Sequence, residues 1–184
     1  MIDLFRYFSN FNELINSNDV LSKLGDLGNS LELLKKSKGR LLLFGNGASA
    51  SIASHAALDF TKQGRLTSLC FHDPALLTAY ANDYGYENVF KEIINDHVKD
   101  GDFCIFISVS GESPNIVRAA KLCIEKQIPF ASFSGRKFDN TLARISKTSF
   151  WVNSEAYNIV ENIHSIWLLS LVDYLIGTEF YEVS

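Results

Sequence analysis

The sequence predicts an α/β protein: a single domain with a doubly wound, five-stranded parallel sheet and extra N-terminal helices. From residue 40 onward, five short apolar stretches typical of buried strands alternate with helical stretches. Parallel strands need such crossovers, and helices then cover both faces of the sheet. Two of the strands also run directly into turns rich in glycine or serine, which is typical of the ligand-binding edge of such a sheet.

The N-terminal segment is predicted to form two amphipathic helices. Over residues 2–37, Leu, Ile and Phe recur at helical spacing, with a break near residues 16–19. We assign residues 1–37 to these helices and residues 38–184 to the core, the two parts forming one structural domain. A helix pair that precedes the first strand cannot bury its apolar stripe alone. We therefore expect it to cover the sheet or to dock on another subunit.

The elements of the core follow from the local patterns. Strands are predicted over short apolar runs, at 40–44, 67–71, 103–107, 129–133 and 148–152. Helices are predicted between and after them, at 48–62, 74–80, 87–98, 115–126, around Leu142 and at 158–176. In a doubly wound sheet, ligands bind beyond the carboxyl ends of the strands, at the point where the strand order reverses. The turns after the first and third strands should therefore meet.

The composition is that of an acidic protein with one core. The 184 residues are 47% hydrophobic, carry a net charge of −4 and give a pI of about 5.5. Basic residues are scattered, which argues against a nucleic-acid partner. The N-terminus lacks a cleavable apolar segment, and no uninterrupted apolar run approaches the about 20 residues that span a bilayer. We therefore expect a cytoplasmic protein that makes no membrane contact, with Cys70, Cys104 and Cys123 as small buried residues.

The first of the two turns lies at residues 45–49 and reads Gly-Asn-Gly-Ala-Ser. Glycines let the backbone approach a ligand closely, while a serine hydroxyl and the unpaired N–H groups of a helix start can hold anionic oxygens. The turn lacks the third glycine of a dinucleotide fingerprint and the Gly-Lys-Ser/Thr ending of a nucleoside triphosphate loop. A phosphorylated small molecule is therefore the predicted ligand.

The second turn follows the third strand and reads Ser-Val-Ser-Gly-Glu-Ser over residues 108–113. Ser108, Ser110 and Ser113 can donate hydrogen bonds to one phosphate together. Serine is also a good turn and cap residue, so a purely structural role stays open for each of them. Two such turns at equivalent places in one sheet favour the functional interpretation. Because a carboxylate beside a phosphate is repulsive, the Glu112 side chain is predicted to point outward.

Four stretches of the chain resemble the SIS (sugar isomerase) family and, within it, the phosphoheptose isomerases, which interconvert sedoheptulose 7-phosphate and a heptose phosphate. These stretches are residues 45–49 with His55 after them, residues 81–85, residues 107–113 and residues 161–164, in family order and at family spacing. The resemblance implies a flavodoxin-like three-layer sandwich and a homotetramer.

The resemblance also implies roles for individual residues. The sugar phosphate would be held by the serines of both turns, Ser49, Ser108, Ser110 and Ser113. Asn46 and Asp83 would line the sugar pocket. The product would feed heptose synthesis for lipopolysaccharide or capsule.

The catalytic end departs from the family pattern. The family places a His and, four residues on, a Glu in one helix, and a Gln and, eight residues later, a proton-transferring His in the last helix. Here these positions hold His55, Asp59, Glu161 and Leu169. Family members with bound zinc use the same four places as ligands. The resemblance therefore implies a three-ligand zinc site at His55, Asp59 and Glu161, with the fourth ligand lost.

Ketose–aldose isomerisation needs a base beside the carbonyl, stabilisation of the enediolate and return of a proton to the neighbouring carbon. We predict Glu161 as the base, with His55 and Asp59 as metal ligands or as acid and electrostatic support. Other readings stay open: Asp59 and Glu161 as solvated helix residues, Asp83 as a helix cap, and His164 as a hydrogen-bonded core residue.

Two functions follow from the sequence. The first is an aldose–ketose isomerase acting on sedoheptulose 7-phosphate or a related sugar phosphate. The alternative is a non-catalytic SIS protein that binds a phosphosugar and regulates, or that docks on a replication-initiator protein. Leu169 motivates the alternative, because it cannot move a proton.

Overall fold

The sheet has the predicted five parallel strands in the computed structural model, which describes residues 1–16 and 18–180. The strands are β1 (Leu41–Gly45), β2 (Ser68–Cys70), β3 (Phe103–Ser108), β4 (Phe130–Ser134) and β5 (Thr148–Trp151), in the spatial order β2-β1-β3-β4-β5. Every neighbouring pair is parallel. The strand order reverses between β1 and β3, so the turns that follow these two strands lie side by side, as predicted.

The helices also follow the prediction closely. They are α1 (Leu4–Ile15), α2 (Asn18–Lys36), α3 (Ala48–Lys62), α4 (Pro74–Tyr84), α5 (Val89–His97), α6 (Pro114–Glu125), α7 (Thr141–Ile145) and α8 (Tyr157–Ile176). The largest differences from the prediction are that α4 extends beyond residue 80 and that the helix predicted at 87–98 begins as a 3-10 turn, Tyr86–Asn88. Gly85 separates the two helices, because its φ of 80° and ψ of 144° cannot continue a helix.

Each central strand contributes side chains to two apolar cores, one on each face of the sheet. In β1, Leu41 and Leu43 face the core formed with α2, α3 and α8, while Leu42 and Phe44 face the core formed with α5 and α6. All four side chains are fully buried. Successive side chains of a strand point to opposite faces, so a strand covered on both faces reads as one continuous apolar run.

The two N-terminal helices behave differently. Helix α2 packs on the sheet through a buried stripe, Val20, Leu24, Leu27, Leu31 and Leu34. Helix α1 has no buried residue, and its apolar side chains Leu4, Phe5 and Phe8 are 62%, 87% and 65% exposed. Helix α1 does pack its half-buried Tyr7, Phe11, Leu14 and Ile15 against the same core. The expectation that the pair covers the sheet therefore holds for α2 and in part for α1, whose remaining apolar face is uncovered.

Helix α8 is long and apolar enough to cross a membrane, by length and composition only. In this fold it is a core helix. Half of its apolar stretch is buried in the protein. The buried residues recur at helical spacing: Ile159, Val160, Ile163, His164, Trp167, Leu168, Leu171, Val172 and Leu175. Trp167 also donates from Nε1 to the carbonyl oxygen of Ile15 at 3.3 Å, which fastens the end of α1 to α8.

An ion pair joins the starts of β1 and β3 at the amino-terminal edge of the sheet. Asp102, which is 3% exposed, accepts hydrogen bonds from the backbone N of Arg40 at 3.2 Å, from Arg40 Nε at 3.0 Å and from the backbone N of Lys99 at 2.8 Å. Burial alone would raise the pKa of Asp102, but these hydrogen bonds to its charged form outweigh burial and lower the pKa.

Candidate active site

The turns after β1 and β3 meet the first turns of α8 around one cavity of about 110 Å³. Its walls combine side chains from the three elements: Asn46, Ser49, Ile107, Ser108, Val109, Ser110, Ser113, Tyr157 and Glu161. The cavity therefore contains the predicted serines of both turns, the predicted Asn46 and the predicted carboxylate Glu161.

The first turn requires glycine at two positions. Gly47 ends the turn with φ 55° and ψ −125°, a conformation that only glycine adopts readily. A Cβ on Gly45 would lie 2.6 Å from the carbonyl oxygen of Ser49, so the start of α3 curls tightly back on the end of β1. This curl places the almost fully buried Ser49 in the cavity wall.

The second turn is held by hydrogen bonds between its own residues. Gly111 has φ 65°, and a Cβ there would collide with the side chain of Asn140. The Ser108 hydroxyl donates to Ser113 Oγ at 3.3 Å, and Ser110 Oγ accepts from the backbone N of Glu112 at 3.2 Å. The hydroxyls of Ser108, Ser110 and Ser113 thus converge on one side of the cavity.

Three helices begin at the cavity without a side-chain cap. The N-cap residues of α3, α6 and α8 are Gly47, Ser113 and Ala156, and none of them makes a side-chain cap hydrogen bond. By contrast, side chains cap α1, α4 and α7, which begin elsewhere. Helix starts carry partial positive charge, so the cavity suits an anion. N–H groups without a side-chain cap remain at the start of α3, whereas in α6 Pro114 has no N–H and the N–H of Ile116 donates to Asn115 Oδ1.

The Glu112 side chain is turned away from the cavity, as predicted. Its carboxylate accepts hydrogen bonds from the backbone N and the hydroxyl of Thr141, both at 2.7 Å, at the start of α7. These two donors of Thr141 hold the charge of Glu112 outside the cavity.

Glu161 lies one turn into α8 and lines the cavity. It is half-buried, and burial raises the pKa of its carboxyl group. A carboxylate with a raised pKa is a better proton acceptor than an ordinary glutamate, which fits the predicted role of a base. The alternative of a fully solvated helix residue does not apply to Glu161.

His55 and Asp59 contact each other on α3, with Nε2 and Oδ2 3.1 Å apart. Their side chains are 57% and 22% exposed, and neither lines the cavity. Asp83 lies in the last turn of α4, is exposed and accepts a hydrogen bond from Asn82 Nδ2 at 2.9 Å. It does not cap the following 3-10 turn, which begins after Gly85 without a side-chain cap, so the cap reading is wrong.

A model of the SIS domain matches residues 6–135. The chain belongs to the SIS domain family. Relatives of this SIS chain include phosphoheptose isomerases of Thermodesulfovibrio yellowstonii, 32% identical over 68% of the chain and 65% of the relative, and of Aquifex aeolicus, 32% identical over 76% of the chain and 75% of the relative. The phosphoheptose isomerase 2 of Campylobacter jejuni is 40% identical over 58% of the chain. The chain spans 65% and 57% of the lengths of the Thermodesulfovibrio and Campylobacter relatives.

Solved structures confirm the SIS fold. The phosphoheptose isomerase of Neisseria gonorrhoeae superposes with a TM-score of 0.82 at 23% identity, over 95% of this chain and 99% of its own. The phosphoheptose isomerase of Francisella tularensis gives a TM-score of 0.83 at 21% identity, over 97% and 100%. At these identities the structural likeness shows the fold alone.

The zinc ligands implied by the resemblance do not come together in this SIS chain. Within residues 1–16 and 18–180, no three His, Cys, Asp or Glu side chains lie close enough to hold one metal ion. His55 and Asp59 are paired with each other, and Glu161 lies apart from them in the cavity. In the single chain the three residues therefore do not form a set of zinc ligands, and zinc binding stays a prediction through which no step of the proposed reaction passes.

His164 is a core residue, as one reading of the sequence had it. It is fully buried, and its Nε2 lies 3.1 Å from the carbonyl oxygen of Ser134. Burial lowers the pKa of His164 to about 4, so the ring is neutral near pH 7. It lies on α8 one turn after Glu161 but does not line the cavity.

We expect this SIS chain to lose about 3 kcal/mol of its unfolding free energy through His164 as the pH falls from 6.5 to 4. The unfolded chain takes up the proton near the ordinary histidine pKa, whereas the folded chain takes it up only near pH 4. Urea unfolding at pH 7 and pH 4 measures the loss. His164→Gln is the comparison, and an equal pH-dependence in both proteins would contradict the expectation.

Three residues at or next to the cavity were not predicted from the sequence. Tyr157 lines the cavity, with Arg136 Cζ 5.9 Å from its ring centre. Asn115 and Tyr86 bind the side chain of Asn46. Asn115 lies in the first turn of helix α6, two residues after the serine-rich loop, and this position next to the loop could have identified it from the sequence. Tyr86 reaches Asn46 from the crossover between β2 and β3, and no local sequence pattern indicates that contact.

Proposed function

We propose that this SIS chain is an aldose–ketose isomerase of the phosphoheptose isomerase type, acting on sedoheptulose 7-phosphate or a related sugar phosphate. One observation carries the proposal: a single cavity joins the serine hydroxyls and uncapped helix starts to the carboxylate of Glu161. The first group suits a phosphate, and the second can move a proton. The names of the relatives favour an isomerase over a non-catalytic binding protein.

The phosphate arm relies on neutral donors. Hydroxyls of Ser49, Ser108, Ser110 and Ser113, together with N–H groups at the start of α3, donate to the phosphate oxygens. Hydrogen bonds to a charged acceptor are stronger than those between neutral groups. Binding at this arm fixes the sugar chain relative to α8.

The proton arm needs only one carboxyl group. The Glu161 carboxylate takes the proton from the carbon beside the carbonyl, and the electron pair of that C–H bond forms the enediolate. The Glu161 carboxyl group then returns the proton to the neighbouring carbon, while the hydroxyl proton of the enediolate passes from the oxygen that becomes the new carbonyl to the other oxygen, so that no atom is gained or lost. Leu169 lies two turns farther along α8 and carries no proton, so both transfers are assigned to Glu161.

The proposal includes a cytoplasmic homotetramer. Its support is the apolar face of α1, where Leu4, Phe5 and Phe8 are exposed in the single chain. Contiguous apolar surface of this kind marks an interaction site, and copies of one chain are its simplest partner. Light scattering on the purified protein measures the number of chains.

The test of the function is turnover. Purified protein is mixed with sedoheptulose 7-phosphate, with and without added zinc, and the aldose product is followed by NMR. Ser108→Ala is expected to raise KM about tenfold, because one hydrogen bond to a charged oxygen is lost. Ser30→Ala, on the exposed side of α2, is the matched control and should leave KM unchanged. Absence of turnover in both conditions would refute the function.

A further inference from the structure

The amide group of Asn46 is held by three hydrogen bonds at the edge of the cavity. Its Nδ2 donates to Asn115 Oδ1 at 2.9 Å, and its Oδ1 accepts from Asn115 Nδ2 at 2.9 Å. The Tyr86 hydroxyl donates to the same Oδ1 at 3.0 Å. The two asparagines therefore form a reciprocal amide pair, and Asn115 is 2% exposed.

A backbone group fixes the orientation of this pair. The N–H of Ile116 donates to Asn115 Oδ1 at 3.0 Å, and a backbone N–H can only donate. The oxygen of Asn115 must therefore face Ile116, which directs its Nδ2 to Asn46. The atom of Asn46 that receives this N–H must be Oδ1, so neither amide can be turned over without losing hydrogen bonds.

The remaining hydrogen-bonding capacity of Asn46 follows by subtraction. An amide oxygen has two lone pairs, and both are used, one by Asn115 and one by Tyr86. An amide nitrogen has two hydrogens, of which one is used by Asn115. Asn46 lines the cavity, so the single group it can offer to a ligand is one N–H donor.

We propose that Asn115 and Tyr86 are positioning residues that fix Asn46 as a hydrogen-bond donor to the sugar phosphate. This inference rests on the proposed function and deepens it. A donor at this place can bind an oxygen of the phosphate, of the enediolate or of a sugar hydroxyl, most strongly a charged one, and it offers no acceptor to the proton of a sugar hydroxyl. Asn115 and Tyr86 act through Asn46 and are not placed in contact with the substrate.

The hydrogen bonds among Asn46, Asn115 and Tyr86 connect distant parts of the chain at the cavity. Tyr86 belongs to the 3-10 turn after α4, within the crossover between β2 and β3, and Asn115 belongs to the first turn of α6. Asn46 follows β1 directly. Three separate connections of the sheet therefore meet in one small hydrogen-bond network, which holds the donor rigidly relative to the serines.

A double-mutant cycle tests this positioning role. The affinity for sedoheptulose 7-phosphate and for inorganic phosphate is measured by calorimetry, and kcat and KM are measured alongside. We expect Asn115→Ala to weaken sugar phosphate binding about tenfold and Tyr86→Phe about threefold. The variant that carries both Asn46→Ala and Asn115→Ala should bind no more weakly than Asn46→Ala alone, because Asn115 acts through Asn46.

Tyr84→Phe is the matched control for Tyr86→Phe, since Tyr84 is 51% exposed and its ring contacts that of Tyr80 at a tilt of 45°. It should bind like the wild type. Independent, multiplying effects of Asn46→Ala and Asn115→Ala would overturn the inference, as would wild-type affinity in Asn115→Ala. If the wild type binds the sugar phosphate but does not convert it, the isomerase function is refuted, and the affinities of the double-mutant cycle still decide the positioning role. If the wild type binds neither the sugar phosphate nor inorganic phosphate, both the function and the positioning role are overturned.

Discussion

Replacing Glu161 by glutamine is expected to lower kcat about 10²- to 10⁴-fold, while the affinity for the sugar phosphate changes little. Glutamine keeps the size of the side chain but cannot accept the proton beside the carbonyl. The phosphate arm on β1 and β3 is untouched by the change. Steady-state kinetics with sedoheptulose 7-phosphate, together with calorimetric binding, separates the two effects.

Two further measurements sharpen this expectation. Glu125→Gln, at the exposed end of α6, carries the same chemical change far from the cavity and should keep wild-type kcat. In the wild type, kcat/KM should fall as the pH drops through the pKa of Glu161, which burial raises above its ordinary value. A Glu161→Gln variant with wild-type kcat would show that another group is the base.

Replacing Asp102 by alanine is expected to lower the unfolding free energy by about 3–5 kcal/mol. The change leaves the guanidinium of Arg40, which is 23% exposed, without its carboxylate at the edge of the sheet. It also removes the acceptor for the backbone N–H groups of Arg40 and Lys99. Urea unfolding measures the loss, and Asp100→Ala at an exposed neighbouring position is the control.

The stabilisation by Asp102 should also depend on pH in a defined direction. Its pKa is lower in the folded chain than in the unfolded chain, so the stabilisation is complete above the unfolded pKa and disappears as the pH falls through the folded pKa. The difference in unfolding free energy between the wild type and Asp102→Ala should therefore shrink in acid. A difference that stays constant would contradict the role of the charge.

The fold was predictable because its signals are local. The limits of α3 (Ala48–Lys62) agree with the prediction, since a glycine turn precedes an apolar helical pattern. The break between α4 and α5 was predicted, but the end of α4 was placed too early, at residue 80, because it depends on the conformation of Gly85 and not on hydrophobic periodicity. The strands begin and end within one or two residues of the predicted positions. Pairing with the neighbouring strand and fraying decide the last residue of a strand, and composition does not reveal either of them.

The site was predictable in part for the same reason. The phosphate arm consists of two turns whose residues are contiguous in sequence, so Ser49 and Ser108 were found without knowledge of the structure. His55 and Asp83 have ionisable side chains that could take part in catalysis, but they lie outside the cavity of the single chain. The link from Tyr86 to Asn46 spans 40 positions, and only folding brings such residues together.

Helix α8 has a consequence for engineering. It carries Glu161 at the cavity and Trp167 in the core, six positions apart on one helix. At about 1.5 Å per residue this is roughly 9 Å of continuous helix, which moves as one body. Substitutions that repack the core around Trp167 to raise heat resistance will therefore also shift or stiffen the carboxylate. In this helix, gains in robustness and losses in turnover are expected to come together.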